Sequence, residues 1–273
     1  HTRSAHVSWA RDVYKRQITR MMAIFSHLYD VESVGSIRSL RPYYLSVALS
    51  YDAIVIHAGG SEQAYSDVKT YNADHLDGVR DGNTSSMFYR DASRGQHGSE
   101  HTLFFHGANV EALVNQYKFR TEHESSYKTG LNFADNAVQQ CTAGAAANVQ
   151  VTFNTSKSTS FAYHADSGKY TAVQYKADYK DGATGEAVPF SNLLILSADM
   201  KTVDSYGRLA VDLVGSGTGY FVTGGEYVPI KWSRSDINSC FTYTLEDGTA
   251  LNLSRGTTYV GVIPTNGGSA NFS

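Results

Sequence analysis

The apolar positions change their period once along the chain. From Ile18 the run Ile18-Thr19-Arg20-Met21-Met22-Ala23-Ile24-Phe25 reads as a buried strand, and Ala53-Ile54-Val55-Ile56-His57, β-branched and closed by Gly59-Gly60, reads as a second. Between them Pro42 suits a first helical position, and Tyr43, Val47 and Tyr51 recur on one face, which predicts an amphipathic helix over 41–51 packed on the sheet. Ser61 is a candidate N-cap for a second helix over 62–70, with Glu62 where the helix dipole favours a negative charge. Val110, Val114 and Tyr117 predict a third over 107–118. Further on, short alternating segments at 148–153, 160–164, 169–175, 193–196, 208–214, 219–223 and 228–232 predict strands. Asp166-Ser167-Gly168, Asp181-Gly182 and Glu246-Asp247-Gly248 carry the chemistry of tight turns, the last joining a predicted hairpin of 241–245 with 250–253.

The expected organisation is therefore α+β: an α/β domain over 18–127, a polar, Ala/Gly-rich boundary or cover loop over 128–147, and a β-rich domain over 148–273. Residues 1–17 show neither period, and Arg11-Asp12-Val13-Tyr14-Lys15-Arg16-Gln17 resembles a translated adaptor remnant. They are set aside as a non-native leader, which implies that the native start, with any signal peptide or lipid-attachment cysteine, is missing.

Three clusters could carry chemistry. In Gly35-Ser36-Ile37-Arg38-Ser39-Leu40-Arg41-Pro42, two arginines flank a helix start whose free N–H groups favour anions. Either Arg38 and Arg41 hold a carboxylate or phosphate, or they pair with acidic residues and tie loops down. His57 ends a strand ahead of Gly59, Gly60 and Ser61, a place where open α/β sheets bind ligands. It could act as acid or base, with Ser61 orienting it; a histidine bonded to a backbone carbonyl fits the same letters. In the third, Arg90, Asp91 and Arg94 precede Glu100 and His101. Asp91 paired with Arg90 or Arg94 is the economical expectation, and the functional one turns the cluster toward Arg38 and His57 across a cleft. Glu100 and His101 are adjacent and would point oppositely on a strand, and no metal-ligand spacing is present, so neither a metal nor another cofactor is expected. Gly215-Ser216-Gly217-Thr218-Gly219 lacks a P-loop lysine and is expected to be a bulge or hairpin connection.

Composition narrows the classes. Over 273 residues, 23 Lys and Arg against 26 Asp and Glu give a net charge of −3 without a basic run, which argues against a nucleic-acid partner. With 41% hydrophobic residues, 19 Tyr and 24 Gly, the chain reads as folded and β-rich. No apolar stretch approaches the ~18–20 residues of a membrane-spanning helix, so the chain as given is expected to be soluble. Cys141 and Cys240 form no redox or zinc motif, and a disulfide and two free thiols both remain open.

The segments 18–25, 35–43 (GSIRSLRPY) and 51–61 (YDAIVIHAGGS), with Phe88-Tyr89-Arg90-Asp91 and Glu100-His101-Thr102-Leu103-Phe104, resemble the YerB-like family of bacterial lipoproteins. The resemblance continues through 181–186, Asn192-Leu193-Leu194-Ile195, Gly217-Thr218-Gly219 and 256–264. It implies an α/β domain followed by a β-rich one, an extracytoplasmic location and a lipid anchor at an upstream cysteine, which would be the chain's only hold on the membrane. It brings no accepted catalytic residues. The leading expectation is an envelope protein that binds an anionic or glycan-containing ligand, polymer or small molecule, in a cleft lined by Arg38, Arg41, His57, Gly59, Gly60, Ser61, Arg90, Arg94 and His101. One rival is a hydrolase or transferase on an envelope polymer, with His57 as acid/base and Asp91 or Glu100 orienting it. Another is a scaffold that uses the β-rich half to hold a protein partner. The enzyme requires His57 to be open to solvent and within reach of a carboxylate.

Overall fold

The computed structural model describes residues 5–9, 20–84 and 87–273. The described residues divide into two compact units, one formed by those up to Phe25 with Gly130–Asp236 and Phe241–Ser273, the other by those of Ser26–Thr129 with Ile237–Cys240.

The first unit is built on two sheets. The larger runs in the order Thr242–Thr244, Glu226–Arg234, Gly215–Thr223, Asn192–Ala198, Thr258–Pro264, Ala5–Trp9, Arg20–Ile24, with Gly144–Ala145 also paired to Glu226–Arg234. Its central strands Asn192–Ala198 and Thr258–Pro264 are parallel and almost wholly buried, which is why Leu193-Leu194-Ile195-Leu196 is a continuous apolar run. The smaller is antiparallel, in the order Ala177–Asp178, Lys169–Gln174, Lys157–His164, Asn148–Asn154, Ser269–Phe272. Val149, Phe153 and Phe161 from the smaller sheet pack with Leu193, Ile195, Val222 and Tyr259 from the larger in one core. Each such side chain contributes about 1.5–3 kcal/mol on burial.

Several sequence expectations are corrected here. Residues 18–25 were expected to open the α/β domain; the strand, Arg20–Ile24, instead ends the large sheet of the β-rich unit, and Ile18 and Thr19 lie outside the described residues. The leader was set aside for its lack of a helical or strand period, yet Ala5–Trp9 pairs antiparallel with Arg20–Ile24 and parallel with Thr258–Pro264. Ladder partners on both sides override its weak local pattern; residues 1–4 and 10–17 are outside the described set. The expected cover loop is not structureless: it carries Asn132–Phe133, the 3-10 turn Ala137–Gln140 and Gly144–Ala145, and buries Ala137, Cys141 and Ala146. The glycines at 215–219 lie inside one strand, Gly215–Thr223. Neighbours crowd it: a Cβ on Gly217 would lie 2.5 Å from Trp232 Nε1, and one on Gly219 2.4 Å from the Ile195 carbonyl oxygen. The last hairpin closes through Leu245–Thr249 and Leu251–Tyr243 hydrogen bonds, but Asn252–Leu253 leaves it to pair with Asn132–Phe133.

The second unit contains helices α1 (Pro42–Ser50), α2 (Glu62–Thr70) and α3 (Ala108–Tyr117). Strands Val55–His57 and His75–Asp77 are parallel, with α2 as their crossover. Val34–Gly35, Leu103–Phe105 and Phe88–Arg90 form an antiparallel sheet, and Leu76, Met87, Phe105, Val110, Leu113 and Val114 make the core. Helix α1 departs from its amphipathic reading, because Tyr43 to Ala48 and Ser50 are all buried, polar serines included. Ser50 satisfies its hydroxyl on the Val47 carbonyl. The segment Ile237–Cys240, unforeseen as part of this unit, donates Cys240 Sγ–H to the Ser50 carbonyl at 2.9 Å. Both cysteines are free thiols.

Candidate functional site

The loops singled out by sequence are laced together by main-chain hydrogen bonds. Ile37 N–H donates to Leu103 O, Ala58 N–H to Arg38 O, Leu40 N–H to Gly59 O and Ser61 N–H to Leu40 O. Arg38 reaches across and donates to the Glu100 carbonyl. Residues 37–41, 58–61 and 99–103, scattered in sequence, thus form one hydrogen-bonded surface of the α/β unit. Arg90 and Asp91 join it, since Asp91 N–H donates to Thr102 O and Arg90 donates to Ser99 O at 2.6 Å and Thr102 Oγ1 at 2.9 Å.

Among the described residues the expected ion pair at Asp91 is absent. Its carboxylate accepts from Ser93 N–H (2.9 Å) and Ser93 Oγ (2.6 Å), capping the 3-10 helix Ala92–His97. Local capping competes well with a surface ion pair, which is worth little in water. Arg94 donates to the His101 carbonyl and lies over Phe104, 5.6 Å from its ring centre. Among the described residues no carboxylate pairs with Arg90 or Arg94, and both are exposed. Arg41 donates to Leu40 O.

His57 occupies a different environment from the open acid/base position. Its side chain is 2% exposed and its Nδ1 lies 2.8 Å from Gly59 O. A carbonyl only accepts, so Nδ1 carries the proton and bare Nε2 accepts from His75 Nδ1–H at 3.0 Å. Neutral His75, half-buried, then holds its lone pair on Nε2. Burial pushes both imidazoles below their usual value, against the pull of Asp77 on each. Asp77 Oδ1 is 3.8 Å from His57 Nδ1, within electrostatic but outside hydrogen-bond reach.

Asp77 is the anchor that sequence reading missed. Oδ1 accepts from Gly59 N–H at 2.8 Å and Val79 N–H at 2.9 Å, and Oδ2 accepts from Tyr65 Oη–H at 2.6 Å. Burial raises its carboxyl, but those donors and His57 outweigh it and hold the group below the usual carboxylate range. Each glycine has a reason: Gly59 takes φ +71°, and a Cβ on Gly60 would come 3.1 Å from the Tyr65 ring. Ser61 Oγ accepts from Ala64 N–H and caps α2, so its hydroxyl orients the helix rather than His57. Arg80 lies 3.7 Å from the centre of the Tyr65 ring and pairs with Glu62 at 2.8 Å. The missed signal is the polar-apolar-polar step His75-Leu76-Asp77, a strand paired residue for residue with Val55–His57.

Two features result: a buried His57–His75–Asp77–Tyr65 network that fixes the ends of two parallel strands, and an outer segment that carries the exposed Arg90 and Arg94. Among the described residues no group of three His, Cys, Asp or Glu side chains could hold a metal ion. In the β-rich unit, a groove of about 560 Å³ is lined by Cys141, Gly144, Tyr163, Gly225 and Glu226. Burial pushes the Cys141 thiol up to about 12, so it is protonated and unreactive near neutral pH.

The pairing of an α/β unit with a β-rich unit is that of a two-domain family of unknown function. The chain belongs to the DUF3048 family: its N-terminal domain matches residues 3–120 and its C-terminal domain residues 149–260. The chain is similar to the Bacillus subtilis protein named "Putative lipoprotein YerB", at 27% identity over 261 residues, covering 91% of this chain and 72% of that protein. The crystal structure of YerB from Bacillus subtilis shares the fold, with a TM-score of 0.79 at 21% identity over 99% of this chain and 93% of that one. Among the described residues no helix is long and apolar enough to cross a membrane.

Proposed function

We propose that this chain is the extracytoplasmic part of a lipid-anchored envelope protein, and that the basic face of its α/β unit binds an anionic envelope polymer. The observation that carries the reading is the way the arginines are held. Arg90 and Arg94 are positioned by main-chain carbonyls, which orient a guanidinium without neutralising it. For Arg90 and Arg94, exposed and without a carboxylate partner among the described residues, the positive charge stays available to a phosphate or carboxylate ligand. The lipid anchor rests on the similarity to a protein named as a lipoprotein.

His57 is too deeply buried to serve the hydrolase or transferase alternative, so binding is the better-supported activity of this face. Isothermal titration against a teichoic-type phosphopolymer, muropeptides and neutral glycans tests it. Binding heat with the phosphopolymer that declines as salt is added is the expected result. No heat with any of the three overturns the proposal.

A further inference from the structure

In the β-rich unit, far along the chain from the basic face, three polar side chains are enclosed at the end of the smaller sheet. Lys157 is 6% exposed, Thr159 0% and Gln174 8%. Thr159 and Gln174 are cross-strand partners, and Lys157 precedes Thr159 by two positions, which puts all three on one face. Lys157 Nζ makes a long contact of 3.5 Å to Gln174 Oε1. Thr159 Oγ1 and Gln174 Nε2 are buried without a hydrogen-bond partner. Interiors rarely tolerate such orphans unless an ion or a water satisfies them.

A buried ammonium also needs a counter-charge. Among the described residues no carboxylate pairs with Lys157; the groups on it are the Gln174 amide and the Tyr175 ring, whose centre lies 3.8 Å from Nζ. Burial alone pushes this lysine down to about 8. Tyr175 reaches that position through an unusual turn. It and Lys176 take φ +51° and +63° in the two-residue connection between Gln174 and Ala177, where asparagine and glycine are the ordinary occupants. Tyr175 is 56% exposed, and its ring lies over the ammonium on the solvent side.

We propose that Lys157, Thr159 and Gln174 form an enclosed site for a small monovalent anion, of halide or carboxylate size, covered by Tyr175. The three groups offer an ammonium, an amide N–H and a hydroxyl, all able to donate, and the species that completes such a set is an acceptor carrying negative charge. The occupant neutralises the ammonium and satisfies both orphaned atoms together.

The test is lysine side-chain NMR on the whole chain, with the Lys157 signal assigned by its loss in Lys157→Met. Its titration is followed as chloride, or in a separate arm formate, replaces gluconate at fixed ionic strength. Because the anion binds the ammonium form, the expected result is a saturable rise in the apparent pKa of Lys157, by about one unit when the anion reaches ten times its dissociation constant. Gln174→Leu and Thr159→Val each weaken that response about tenfold. A Lys157 titration indifferent to chloride and formate, the result if water alone fills the site, overturns the proposal. So does a response of full size in both Gln174→Leu and Thr159→Val, or a Lys157 that titrates as an ordinary exposed lysine.

Discussion

Asp77, itself 2% exposed, accepts three hydrogen bonds inside the α/β unit, and two of the donors are backbone N–H groups, those of Gly59 and Val79. Asp77→Ala deprives them and the Tyr65 hydroxyl of their acceptor, and a loss of about 2 kcal/mol in urea unfolding is the expected outcome. The histidines beside it tie stability to pH. Burial holds His57 and His75 below their usual value, so between the folded and unfolded values the unfolded chain binds more protons and stability rises with pH. That contribution is complete above the unfolded value of about 6.5 and is lost as the pH falls below it. His57→Gln should flatten the dependence of the urea midpoint below about pH 6.5, and an unchanged slope there contradicts this account of the ring. Lys157 acts in the same direction higher up the scale. With the folded value at about 8 and the unfolded one near 10.5, stability climbs as the pH rises between them and carries the full burial penalty below. In chloride-free buffer Lys157→Met should therefore raise the melting temperature at neutral pH, with a gain that shrinks toward pH 10.

At the scale of elements, the sequence was most readable where local chemistry and tertiary context agree. Helix α2 starts at its cap, and Ser61→Ala should cost about 1 kcal/mol, measurable as a shift of the urea midpoint. Helix α3 ends on Lys118 in the left-handed region at φ +56°, where Lys118→Gly should gain up to about 1 kcal/mol. Reading failed where a partner strand decides the outcome. Ala5–Trp9 has no strand pattern of its own and is a strand because two neighbours supply its ladder. The glycines at 217 and 219 look like a turn but serve close strand packing, invisible without the neighbours Trp232 and Ile195. Helix α1 shows the apolar spacing expected of it, while its serines conceal that it is buried nearly all round.

Over the whole molecule, the order of an α/β region followed by a β-rich one was legible because the hydrophobic period changes. The exchange of segments was not. Arg20–Ile24 joins the β-rich unit and Ile237–Cys240 the α/β unit, and long-range pairing of this kind leaves no local signature. Arg90 and Arg94 were legible as residue types, but not that carbonyls rather than Asp91 hold them; the burial of His57, which denies it an open acid/base position, was not legible either, since Tyr65 of α2 and the strand His75–Asp77 enclose it. The central claim, that the basic face binds an anionic polymer through arginines held by carbonyls, is tested most directly by Arg90→Gln combined with Arg94→Gln. Both replacements keep a hydrogen-bond donor for the carbonyls and remove the charge. The account predicts phosphopolymer affinity reduced at least about tenfold, near 1.4 kcal/mol, with a weaker salt dependence and an unchanged melting temperature. Unaltered affinity in a folded double variant would contradict it.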